Sequence, residues 1–175
     1  ITANTTTNTC AANVNYATQT AQTIALTTTA LRALATSQIE AITTTDVAAL
    51  TVSQIAALTT SQTVALKSTQ LAAMTTAQIA ALTATQVATV TATQSAALSA
   101  TQLNAMATDR LIALTPSNIR AVSLAGMTDA KLQALFDTTR TANKTVSLDQ
   151  WNMLGSSKRA TLRGLVAASR FTVPT

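Results

Sequence analysis

From Gln22 to Ser123 the sequence runs through thirteen consecutive octads of the form Q-φ-x-A-L-T-x-x, where φ is apolar. The leucine place is apolar in all thirteen, and the residue before it is alanine in twelve, Thr89 being the exception. Glutamine recurs nine times, at 22, 38, 54, 62, 70, 78, 86, 94 and 102. Repetition this strict decides the class of architecture before any single residue does. The φ place is apolar in ten octads and fails at Thr23, Thr63 and Ser95. Ile24 and Val64 follow two of these, so the apolar group is expected to shift by one residue there.

A period of eight fits neither a long helix nor a half-buried strand. In one continuous helix each octad would rotate the apolar stripe by about 80°, and no straight helix keeps such a stripe buried. The overwinding needed exceeds even that of an 11-residue repeat. A half-buried strand needs alternation with period 2, which φ-x-A-L lacks, and Ala and Gln are poor strand formers.

Local chemistry offers a third solution. T-x-x-Q is a capping box: the threonine oxygen accepts the N–H three residues on, and the glutamine side chain reaches back to the threonine N–H. The leucine before each threonine stands where a hydrophobic staple pairs with φ, four residues after the cap. In LTPSNIRAV, Pro116 directly follows Thr115, which suits a first helical position and holds Thr115 out of the helix. The expected fold is therefore all-α, a solenoid of very short capped helices of one to two turns joined at Leu-Thr corners. Longer helices that run through some caps, and a β-solenoid, are the competing readings. Helices this short are unstable alone, so they must stack on their neighbours. The small residue before each leucine lets backbones approach, and the residue after φ (Arg32, Glu40, Asn104, Arg120) faces solvent.

Three regions follow: a Thr/Asn-rich arm at 1–21, the octad solenoid at 22–123 and a helical C-terminal cap at 124–175. The arm is uncharged and is expected to order by pairing with its own solenoid or with the next molecule. In the third region MTDAKLQAL (127–135) and VSLDQWNML (146–154) repeat the cap, the apolar residue and the final leucine. KRATLRGLVAASR (158–170) reads as a helix that, with Trp151 and Gly155, closes the array. Within this region ALFDTTRTANKTVSLDQWNML resembles a degenerate EF-hand. Its loop is two residues too long, Lys144 stands where the turn glycine belongs, and Gln150, four residues after Val146, brings no carboxylate. Asp137 alone is a weak calcium site, so no metal is expected.

Composition narrows function. Aromatic residues are 2% and charged residues 10%; histidine is absent, and Cys10 is the single cysteine. Neither a Cys/His metal centre nor a disulfide within the chain can be assembled, and no triad, carboxylate pair or phosphate-cradling loop is present. The expectation is no enzyme, no catalytic residue, no cofactor and no small-molecule substrate. The net charge of +5 does not mark a nucleic-acid protein, because residues 123–175 carry seven Lys/Arg against three Asp without interleaved aromatics. No run approaches the roughly 18 apolar residues of a membrane span. The start at Ile1, without a basic n-region or apolar h-region, reads as a processed or excised segment.

Over residues 22–123 the phrase LTxxQ(I/V)AAL resembles the Ala/Thr-rich octads of secreted or surface-displayed bacterial structural and adhesin-like proteins. The resemblance implies an extracellular or cell-surface role. LTPSN at 114–118 is similar to the LTxxQ motif of small periplasmic stress chaperones, a likeness that shared helix capping explains. The functional expectation is a rod that serves as spacer, surface-layer component or filament subunit, forming homo-oligomers by end-to-end contacts. An adhesin for a protein or glycan surface is the alternative. Ice binding is a remote third, from the T-x-T pairs Thr83/Thr85 and Thr91/Thr93.

Overall fold

The structure is a computed structural model in which residues 25–136, 152 and 154–168 are described. The arm at 1–21, with Cys10, and nearly all of the EF-hand-like loop, with Asp137, Lys144, Val146, Gln150 and Trp151, lie outside the described residues.

Among the described residues from Leu26 to Ser123 the octads form twelve helices of four to six residues: α1 (Thr28–Arg32), α2 (Thr36–Ala41), α3 (Thr44–Ala49), α4 (Val52–Ala57), α5 (Thr60–Ala65), α6 (Ser68–Ala73), α7 (Thr76–Ala81), α8 (Ala84–Thr89), α9 (Ala92–Ala96), α10 (Ala100–Ala105), α11 (Thr108–Leu111) and α12 (Pro116–Ala121). Among the described residues there is no strand. Each helix starts where the box places it. Thr59, with φ −71° and ψ 162°, is extended, and its hydroxyl accepts the Gln62 N–H at 3.1 Å. Nine of these helices stop at the apolar residue that completes the octad, and α1, α9 and α11 stop one or two residues earlier, at Ala33, Ala97 and Ile112. Leu58 (φ −55°, ψ 139°) leaves the helix while its N–H still reaches the Ile55 carbonyl at 3.2 Å. Two successive extended residues, an apolar one and then the cap, make such a corner, as Leu50-Thr51, Leu58-Thr59 and Leu82-Thr83 do.

Stacking sets the coil. α4 packs on α1, α5 on α2, and so on without exception to α12 on α9. Three helices, 24 residues, therefore make one turn, and residues 24 apart stand in a column. At ordinary helix packing distances the rise is roughly 9 Å per turn. The φ and leucine side chains fill the interior as a single cluster that includes Ile55, Leu58, Leu71, Ile79, Leu82 and Leu103.

The expected shift at octad 62–69 does not occur. Thr63 keeps the inward place at 0% exposure, and Val64 stands 46% exposed. Turning Val64 inward would rotate the helix by about 100° and break the box. Thr63 instead satisfies its hydroxyl locally by donating to the Thr59 carbonyl at 2.9 Å. The other polar interior residue has no such outlet. Ser95 is fully buried, and its hydroxyl has no hydrogen-bond partner.

After Val122 the chain makes a short turn in which Leu124 and Met127 are buried, then forms α13 (Asp129–Phe136) against α11. The last helix described, α14 (Ser156–Ala168), packs on α13 and begins two residues before the expected start at 158; residues 169–170 lie outside the described set. Asn104 clamps the turn, donating to the Gly126 carbonyl at 3.0 Å and accepting from the Thr128 N–H at 2.9 Å. A Cβ on Gly126 would stand 2.3 Å from the Ala100 Cβ, so the α10 backbone surface is met there by bare glycine.

Two stability measurements check this packing. Ser95→Ala removes a desolvated, unpaired hydroxyl and is expected to raise unfolding free energy by about 1 kcal/mol in urea titration. Gly126→Ala is expected to cost about 1–3 kcal/mol by overpacking, and Ala100→Gly in the same chain should recover most of it.

Candidate functional site

The most elaborated chemistry of the described residues is the glutamine that recurs at most corners. In the box the third residue of each helix points its side chain back at the corner, and stacking then buries it. Gln54, Gln62, Gln70, Gln78, Gln86, Gln94 and Gln102 are each 1–4% exposed. Gln78 shows the pattern. Its Oε1 accepts the Thr75 N–H at 2.8 Å, while its Nε2 donates to the Val47 carbonyl at 2.8 Å and the Leu50 carbonyl at 2.6 Å. Val47 and Leu50 end the helix of the turn below, where the only intrahelical partner of the Val47 carbonyl is the Leu50 N–H and the Leu50 carbonyl has none. One neutral amide thus satisfies a donor at the start of its own helix and acceptors at the end of another helix, 28 and 31 residues earlier in sequence. Gln62, Gln70, Gln86, Gln94 and Gln102 repeat this geometry. Gln54 donates to the Leu26 carbonyl at 2.8 Å.

The substitutions in the series show which half is dispensable. Ala35 and Lys67 stand at caps without a side-chain cap bond, yet Gln38 and Gln70 still accept their N–H groups at 2.9 and 2.6 Å. Asn118 is too short to serve both ends: it donates down to the Val90 carbonyl at 2.6 Å, and Thr115 caps its N–H at 3.3 Å. Arg110 keeps only the downward bond, to the Ala80 carbonyl. Lys131 in α13 and Lys158 in α14 do the same from the same third helical position, to the Met106 and Ala125 carbonyls. A cation is unfavourable in the first turn of its own helix, but Arg110 and Lys131 deliver their charge to the negative ends of α7 and α10, while Lys158 reaches the turn that precedes α13.

Outside the ladder the surface is bland. The cap and the two residues after it are exposed in octads such as Thr83-Ala84-Thr85 and Thr91-Ala92-Thr93. Thr83 and Thr91 spend their hydroxyls on caps, whereas Thr85 and Thr93 face water. These T-x-T pairs occupy neighbouring corners a third of a turn apart. The vertical row is instead Thr45, Thr69, Thr93 and Ser117, all exposed, and Lys67 interrupts the cap row beside it. Among the described residues no group of three or more His, Cys, Asp or Glu could hold a metal ion, and no helix is long and apolar enough to cross a membrane.

Comparison with known proteins meets the chain in its most regular part. Residues 55–92 match the family model of the ALTTAQ repeat. The repeat's name spells the corner in chain order: the small residue before the leucine, the leucine, the cap, two exposed residues and the buried glutamine. Ala57-Leu58-Thr59-Thr60-Ser61-Gln62 and Ala81-Leu82-Thr83-Ala84-Thr85-Gln86 follow it closely. No curated protein and no solved structure matches the chain.

The downward bonds of the corner glutamines are not legible in the octad pattern, and neither are those of Arg110, Asn118, Lys131 and Lys158. Their one signal is position, since each stands third in its helix. The ladder is testable at Gln78. Gln78→Met leaves the Thr75 N–H and the Leu50 carbonyl without these bonds, and the Val47 carbonyl with the Leu50 N–H alone, and is expected to cost about 3 kcal/mol. Gln78→Glu keeps the acceptor but turns a buried carboxylate toward carbonyls, and should cost more at neutral pH. Burial raises the pKa of that glutamate in the folded state, so the extra loss is present above the ordinary value of about 4.3 and fades as pH falls toward it. Urea titrations of both variants at two pH values check the order and its pH dependence.

Proposed function

We propose that this protein is an extracellular or cell-surface structural rod, acting as spacer, surface-layer component or filament subunit, with no catalytic role. The observation that carries the reading is the 24-residue turn: helices contact the helices one turn away, so the solenoid extends by repetition. The place after φ, which an adhesin would use for a row of exposed aromatic or charged side chains, carries Ala56, Val64, Ala72, Ala80, Ala88 and Ala96 through the middle turns. Uncharged aliphatic side chains at this place through the middle turns suit a spacer better than a recognition surface. The location rests on the resemblance of the octads to repeats of surface-displayed bacterial proteins. End-to-end association into filaments is the assembly such a rod would use.

Duplicating one turn, by inserting a second copy of residues 54–77 after Ala77, tests the reading. The longer protein should fold, resist urea at least as well, and lengthen by roughly 9 Å in small-angle scattering. An inserted turn that unfolds the protein or leaves its maximum dimension unchanged would sink the spacer role. Electron microscopy at rising concentration checks the filament form, for which only isolated short rods would be the contrary result.

A further inference from the structure

The outward places of the octad are not equivalent. The place two residues after the cap is exposed in all twelve described octads, and in ten of them it holds serine or threonine, Ala77 and Asp109 being the exceptions. The place after φ, also exposed or half-buried throughout, holds neither in any of them. The fold does not call for these hydroxyls. Within the described octads the serine and threonine hydroxyls that form hydrogen bonds are those of the caps, of Thr63 and of Thr89. With Ala77 in this place, α7 keeps its complete capping box. An acid would favour the first helical turn, yet at this place only Asp109 supplies one. Stacking sets the hydroxyls in columns, of which Thr45, Thr69, Thr93 and Ser117 form an unbroken one with members roughly 9 Å apart.

We infer that the hydroxyls two residues after the caps are acceptors of O-linked sugars, added by a glycosyltransferase from a nucleotide-activated sugar; the inference rests on the reading of the molecule as a cell-surface rod. In the transfer the hydroxyl oxygen bonds to the anomeric carbon and the bond from that carbon to the diphosphate breaks. The diphosphate leaves with the electron pair, and the hydroxyl proton passes to a base of the transferase. The caps are poor acceptors, because Thr83 and Thr91 already accept the Gln86 and Gln94 N–H groups at 3.2 Å and a sugar would crowd the bond that starts the helix. The first helical place is interrupted by Val52, Ala84, Ala92, Ala100 and Pro116. A neutral substituent suits the row better than phosphate. Aspartate or glutamate would bring negative charge there without any modification, and phosphates stacked in one column would repel one another. Sugars also supply what the surface lacks. From Ser68 to Thr108 there is no charged residue, whereas soluble surfaces are usually about 25–35% charged, so hydration of these turns falls mainly on hydroxyls, which glycans multiply.

Tryptic peptides of the protein isolated from the cells that produce it test the proposal. Cleavage after Arg32, Lys67 and Arg110 yields peptides 33–67 and 68–110, each with four hydroxyls two residues after a cap. Mass spectrometry with electron-transfer fragmentation should find both peptides heavier by whole sugar residues. The sugars should sit at Ser37, Thr45, Ser53 and Ser61 in the first and at Thr69, Thr85, Thr93 and Thr101 in the second, with the caps bare. Ala77→Thr, expressed in the same cells, should gain a sugar at residue 77. Peptides at their unmodified masses, sugars spread equally over the caps, phosphate in place of sugar, or a bare residue 77 in Ala77→Thr each overturn the proposal. Unmodified peptides from protein found on the cell surface overturn it alone, whereas unmodified peptides from protein that stays in the cytoplasm overturn the cell-surface reading as well.

Discussion

Everything in this solenoid depends on a single side-chain amide that can accept at one end and donate at the other. A chain that turns a corner every eight residues produces orphan N–H groups and orphan carbonyls at a rate no ordinary helical protein has to meet. Water could satisfy them only if the corners stayed open, and open corners would leave the φ and leucine side chains exposed. Glutamine closes the corner without leaving either set unpaired. Aspartate and glutamate cannot donate, arginine and lysine cannot accept, and asparagine lacks a methylene of reach. The series contains most of these alternatives, and each keeps only part of the geometry. Asp46 accepts from Thr43, Arg110 and Lys131 only donate, and Asn118 bonds downward but does not reach its own cap.

The amide also couples levels of structure that are usually separate. In most helical proteins the cap is local and the core is tertiary. Here one amide marks the start of its helix with Oε1 and holds the end of a helix in another layer with Nε2, so secondary and tertiary structure form together. This is how helices of four to six residues persist although such lengths are far below what is stable in isolation. It also explains the tolerance of the interior. Thr63 and Ser95 sit where apolar residues belong, yet the backbone register holds through both, because Gln62 and Gln94 fix it from the corner.

The local half of this design was legible in the sequence. The capping box needs only residues three apart, and the staple, the proline after Thr115 and the octad spacing all pointed to the same helix starts. The long-range half was hidden by the regularity that made the local half visible. When consecutive octads are nearly identical, a period of 24 leaves no mark on a pattern of eight, so the three-helix turn had to come from the packing. The box had also already given glutamine a role, and nothing local showed that its NH2 group still required partners. At Thr63-Val64 hydrophobicity alone suggested a shift. The side chain that could satisfy its own hydroxyl stayed inside, because moving the helix would have cost a corner.

The ladder also gives the rod a direction. Every third-position side chain from Gln54 to Asn118 donates toward lower-numbered turns, so each layer offers acceptors upward and presents donors downward. Two such rods can extend one another only head to tail, since head-to-head contact sets donors against donors. The middle of the series uses a neutral amide, whereas Arg110, Lys131 and Lys158 bring charge to the same bond near the upper end. A lysine there occupies the carbonyl but brings no acceptor for the N–H of its own corner, so it keeps only the downward half of what the amide does.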